Sequence, residues 1–194
     1  MPMLASYDEV ANLESSELRF REACQFYKVF MGHHGPGLDP RATRFLWMCY
    51  ADAFLMSLVS LRDVVTEAQE LALKGSDLFR MVTVLRNVTI HRAVVSARSP
   101  LLMINREINI GSAVGRFEDP VLNGERVAEA LDHYEQELRH ECMWRQERRN
   151  IEGARRWNDE LKAKDPPRVH LSAVFRNALA FVAGTCGWAI PAAL

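Results

Sequence analysis

The chain has 194 residues, 48% hydrophobic and 25% charged, which suits one domain with a sizeable apolar core and argues against global disorder. Its formal net charge of −1 gives no overall field for nucleic acid, so such a partner has to be met by a local patch. The four cysteines form no CxxC pair, so a disulfide framework is not expected and free thiols in a cytoplasmic protein are. The N-terminal stretch MPMLASYDEVANLESSE lacks a basic start and an apolar run, so no secretion signal is expected.

Nearly every segment reads as helix. A first helix is predicted over about Ser15 to Met31, with Ser15 or Ser16 as cap, and GHHGPGLDP then breaks the chain. Pro40 opens a second, predicted to continue as one rod through RATRFLWMCYADAFLMSLVSLRDVVTEAQELALK. Its apolar residues surround the axis from Phe45 to Leu61, the pattern of a buried central helix. Gly75 ends it, and Ser76 with Asp77 starts a third helix of about 76 to 97. Residues 98 to 122 predict an irregular connection with a short strand at LLMINREINI.

A fourth helix is expected from Gly124 to Lys164, stopped by DPP. A shorter apolar helix, about Leu171 to Ala183, follows. The charge-free run ALAFVAGTCGWAIPAAL is interrupted by Gly184, Gly187 and Pro191 and falls short of the ~20 residues of a bilayer span. A docked terminal segment is expected, with a membrane or partner-binding tail as the alternative. The fold class is therefore all-α, an antiparallel helical bundle with long central helices and an irregular connection before the fourth. One domain is expected over residues 1–194. Its core bundle takes about 14–98 plus 123–164, and the apolar C-terminal segment about 168–194.

The chain holds no Gly-rich phosphate loop with lysine, no GxSxG, no HExxH and no dinucleotide fingerprint. His133, Glu137 and His140 share one helix face, but a two-metal bundle needs a second Glu-x-x-His, and none is found. His33 and His34 lie in a Gly/Pro loop and are equally weak as a ligand pair. No metal and no other cofactor is expected. Residues 139 to 156, RHECMWRQERRNIEGARR, hold six arginines against three glutamates. Arg145, Arg148 and Arg149 are candidates for RNA phosphate contacts, because the guanidinium fork suits phosphate. The alternative is a solvated face of i,i+4 Arg–Glu pairs.

The third helix carries VLRNVTIHRAVV, where Arg86, Asn87 and His91 interrupt the apolar pattern of Val84, Val88 and Val95. Asn87 and His91, four apart, lie one above the other, while Arg86 is about 140° from His91 around the axis and has to reach around. An imidazole that titrates near neutral pH, a fixed cation and an amide are the parts for metal-free RNA cleavage. A base activates the ribose 2′-hydroxyl, a cation stabilises the phosphoryl charge, and an acid protonates the leaving 5′-oxygen. DNA lacks that hydroxyl. One histidine cannot easily be both base and acid, whereas two copies in a symmetric dimer could divide the roles.

RNVTIH resembles the Arg-x(4–6)-His motif of the HEPN superfamily (higher eukaryotes and prokaryotes nucleotide-binding), including the polar residue after the arginine. The resemblance covers about residues 14 to 98 and takes in the preceding helix, with Asp52, Ser57, Ser60 and Asp63 in YADAFLMSLVSLRD. It implies a helical bundle and a metal-independent ribonuclease of toxin–antitoxin, abortive-infection or RNA-processing systems. It also implies that two protomers bring arginine and histidine together in a composite cleft. Arg86 and His91 would then be the catalytic pair and Asn87 the supporting polar group. RNA would be the substrate, a homodimer the assembly, and an antitoxin a further partner. Arg92 and Ala93 follow the histidine where some members continue with x-Tyr, so regulation through such a tyrosine is not supported. The rival expectation is a non-catalytic bundle that binds nucleotide, RNA or a protein through the same cleft.

Overall fold

The computed structural model describes residues 14–32, 40–95, 121–139 and 144–192; the side chains of 40–48, 89–95, 144 and 146 fall outside that description. Helix α1 (Ser15–Gly32) buries Phe20, Ala23, Cys24, Tyr27 and Phe30, the i, i+3, i+4, i+7 stripe of a helix lying on a core. It packs along α2 (Pro40–Ser60), which buries Ala51, Phe54, Leu55, Leu58 and Val59. Helix α2 is not sheathed on every side, since Met56 is 48% exposed.

The expected rod from Pro40 to Lys74 is broken. Helix α2 ends at Ser60, whose Oγ donates to Ser57 O at 2.9 Å, and a 3-10 turn occupies Leu61–Asp63. Thr66 then opens α3 (Glu67–Gly75) with a capping box. Its Oγ1 accepts from Gln69 N at 3.4 Å, and its own N–H donates to Gln69 Oε1 at 3.0 Å. The sequence TEAQ carried that signal, but an unbroken apolar pattern outweighed it in the prediction. The turn buries Leu61 and Leu73 in the core instead of carrying the rod past it.

Helix α4 (Asp77–Val95) starts on Ser76, whose Oγ accepts from Phe79 N at 3.3 Å. It buries Phe79, Met81, Val82, Thr83, Val84, Leu85, Asn87 and Val88, so most of its described side chains are enclosed. The buried Thr83 hydroxyl is satisfied by Phe79 O at 2.9 Å.

The single fourth helix expected from 124 to 164 is two. Helices α5 (Gly124–Leu138) and α6 (Trp144–Lys162) pack on each other as a hairpin, and Arg139 begins the bend. One helix of 41 residues would span about 60 Å, beyond the body of a small domain, and would strand half of its apolar stripe in water. Folding back buries Val127, Leu131, Tyr134 and Leu138 of α5 together with Ile151 and Ala154 of α6. Arg155 ties the pair, 2.7 Å from Asp132 and 2.6 Å from Glu135.

A two-stranded sheet closes the open end of the hairpin. Strand β1 (Val121–Asn123) runs antiparallel to β2 (Arg168–His170), with Leu122 opposite Val169. Neither strand is the one expected at residues 101–110, which lies outside the described residues. Asn123 caps α5, its Oδ1 accepting from Glu125 N at 2.9 Å.

Helix α7 (Leu171–Cys186) docks the apolar C-terminal segment as expected and runs three residues beyond the predicted Ala183. Phe175 stacks on Phe54 at 4.2 Å and meets Phe30 at 5.4 Å, so α7 is wedged against both α1 and α2. Gly187, at φ 74, takes the left-handed cap, and Trp188 N reaches Ala183 O at 3.0 Å. The Trp188 ring then covers Phe20 at 5.2 Å. The result is an all-α helical bundle whose seven described α-helices share one apolar cluster.

Candidate active site

Helix α4 brings the first two members of the motif together. Arg86 Nη1 donates to Asn87 Oδ1 at 2.9 Å, which draws the guanidinium around the axis toward the Asn87 face. Asn87 is 6% exposed, and its amide oxygen is used to hold the arginine. Arg86 Nε is buried and has no hydrogen-bond partner, and no carboxylate among the described residues pairs with Arg86. A buried guanidinium donor left open is costly in a native fold and is a group that an anionic ligand satisfies. His91 continues the same helix one turn beyond Asn87, but its imidazole lies outside the described residues.

Of the two acidic residues in YADAFLMSLVSLRD, eleven apart and so on one face of a continuous helix, only Asp52 is on α2. Asp63 lies past the break, in the 3-10 turn, 3.4 Å from Arg62 and 67% exposed. The eleven-residue spacing gives no common face once the helix ends at Ser60. Burial alone pushes the Asp52 carboxyl up to about 6 from 3.8, and Oδ1 has no partner. Helix α2 packs on α4, but no ion pair joins Asp52 to Arg86. Cys24 offers no nucleophile, since burial pushes its thiol up to about 12.

The arginine-rich segment forms α6, and α6 packs on α4 more extensively than on any other element. Gly153 makes that approach possible. A Cβ there would stand 2.2 Å from Arg80 Cδ and 2.9 Å from Arg80 Cβ. Three residues on, Arg156 forks onto Asp77, with Nε to Oδ2 at 2.9 Å and Nη2 to Oδ1 at 2.6 Å. Rising numbers on α6 therefore match falling numbers on α4, so the two run antiparallel. Continued at the same register, the Arg145–Arg149 turn comes level with the turn holding Arg86 and Asn87. Arg145, Arg148 and Arg149 line an open recess of about 470 Å³ together with Glu152.

Glu147 was not singled out by the sequence, where it read as one of several surface carboxylates. It is buried at 6% exposure and accepts from Asn150 Nδ2 at 3.3 Å. The recurrence 147, 151, 154, 158, 161, all buried, was the signal that places it on the inner stripe.

The metal-like group is only partly described. His133 Nε2 lies 3.5 Å from Glu137 on an exposed face, while His140, His33 and His34 fall outside the described residues. Among the described residues, no group of three His, Cys, Asp or Glu side chains could hold an ion. No described helix is long and apolar enough to cross a membrane. Compared with known proteins, the chain matches no family model, no characterised protein and no solved structure.

Proposed function

We propose that the chain is a metal-independent endoribonuclease of HEPN type, cleaving RNA by attack of the ribose 2′-hydroxyl on the adjacent phosphorus. The observation that carries this reading is the Arg86–Asn87 pair, a guanidinium with no described carboxylate and a buried, unfilled Nε donor. Such a group can take a phosphoryl oxygen through two or more charge-assisted hydrogen bonds. His91, one turn on, serves as the proton-transfer residue. Asn87 is a positioning residue that holds the arginine. A twofold dimer supplies a second His91, so that one removes the 2′-hydroxyl proton and the other protonates the leaving 5′-oxygen. The arrangement fits a toxin or an anti-phage effector in the cytoplasm, held in check by an antitoxin protein.

The test is incubation of the purified protein with total RNA in chelator, beside Arg86→Ala and His91→Ala, with the size of each sample measured. The expected products carry a 2′,3′-cyclic phosphate and a 5′-hydroxyl, and DNA is untouched. Loss of the acid–base group should cost roughly 10²–10⁴-fold, and loss of the oxyanion cation roughly 10²–10³-fold. Full activity of a folded, dimeric His91→Ala chain defeats the assignment.

A second reading has its own support. Asn87 is buried and the hydrogen bond to Arg86 is internal, as in a polar contact that organises a bundle for binding alone. In that case RNA binds without being cleaved, and the two alanine variants lose stability rather than turnover.

A further inference from the structure

Four of the six arginines between residues 139 and 156 are committed to carboxylates. Arg139 lies 3.4 Å from Glu135, Arg148 is 2.9 Å from Glu152, Arg155 is 2.7 Å from Asp132, and Arg156 is 2.6 Å from Asp77. Arg145 and Arg149 are the two with no carboxylate among the described residues. Both are exposed and both line the same recess. Four residues apart, their Cβ atoms are about 5–6 Å from each other on one helix face, so the two forks can take separate phosphates of one strand. Arg148, which also lines the recess, is held by Glu152 at 2.9 Å.

We infer that this outer face of α6 is a binding surface for the phosphates of single-stranded RNA, with Arg145 and Arg149 as its cations. The surface is separate from the Arg86–Asn87 pair. The inner stripe of α6, including Glu147 and Ile151, faces the core, while these arginines face solvent on the far side of the helix. The antiparallel register sets the recess at the same height as Arg86. On α4 the residues that meet α6 are Asp77 and Arg80, and Arg86 lies about 120–180° around the axis from them. The recess and Arg86 therefore face away from each other across the two helices, and the recess binds its strand on its own. The choice of RNA over an acidic peptide rests on the nuclease reading, whereas the recognition of a polyanion does not.

The experiment measures binding of a labelled single-stranded oligoribonucleotide of mixed sequence to the full chain carrying His91→Ala, by fluorescence anisotropy over a salt series. Arg145→Gln with Arg149→Gln should weaken binding about tenfold near physiological salt. It should also flatten the slope of log K against log salt by about 1.4, two phosphates at ~0.7 each. Arg19→Gln with Arg126→Gln removes the same charge from exposed sites elsewhere and should change binding less than twofold. Equal losses in the two double variants, or none in the first, overturn the proposal. So does a poly-glutamate peptide that depends on Arg145 and Arg149 when RNA does not. Cleavage in chelator by the unsubstituted chain is followed in parallel. Cleavage with arginine-independent binding removes this surface alone, while arginine-dependent binding without cleavage keeps the surface and removes the nuclease reading.

Discussion

Asp52 shows how a single side chain can carry a cost that the fold tolerates. Its folded pKa of about 6 stands above the unfolded value of 3.8, so the folded state holds the proton more tightly. Stability from this group is therefore greatest below about pH 4 and falls as pH rises to 6, and the full cost stands above that. Discounted for partial exposure, the shift amounts to about 2 kcal/mol. Asp52→Asn should raise the unfolding free energy by roughly that amount at pH 8 and leave it unchanged at pH 4, as read by urea titration. A variant less stable at pH 8 would mean that an unseen cation holds the carboxylate. The residue scale was unevenly legible beforehand. The Arg86–Asn87 contact follows from adjacency and side-chain reach. Asp52 and Asp63 share no helix face, because the helix that an eleven-residue spacing requires ends at Ser60.

At the level of elements, the joint between α4 and α6 depends on one missing side chain. Gly153 lets α6 lie against Arg80 with no room for a Cβ, and Arg156 locks the same place onto Asp77. Gly153→Ala gains about 1 kcal/mol of helix propensity and meets an overpacking cost of about 1–3 kcal/mol. The net expectation is a loss of roughly 1 kcal/mol in thermal or chemical unfolding. Shortening the clashing side chain in Gly153→Ala/Arg80→Ala should recover part of that loss, a coupling that a double-mutant cycle reads directly. Additive effects would show that the contact at Gly153 is not what limits the approach. Helix starts were readable at Ser76 and Pro40 but not at Thr66 or Trp144, where a continuous rod was expected. Helix ends were harder, because neither Ser60 nor Arg139 breaks a helix by its own chemistry. What ends those helices is the core that the following segment can reach.

Over the whole molecule, α7 is the piece that joins the others. Phe175 is fully buried between Phe54 of α2 and Phe30 of α1, so it bridges segments more than a hundred residues away in sequence. Phe175→Ala should cost about 3–5 kcal/mol, through lost transfer energy and the cavity left among the rings. A loss below 1 kcal/mol would indicate that α7 is loosely attached. The apolar C-terminal run was legible as a docked segment from its glycines and its shortage of length. Its partners were not, since nothing in the run itself says which rings it will meet.

Composition and periodicity alone determined that this chain is helical, that its last segment is apolar, and that Arg86, Asn87 and His91 share one helix. Those properties are local and follow from side-chain spacing at 100° per residue. Tertiary packing decided where the rods fold back, which arginines have no carboxylate among the described residues, and that the arginine turn of α6 stands level with Arg86. These depend on distances between residues remote in sequence, and those are set only when the apolar stripes find each other.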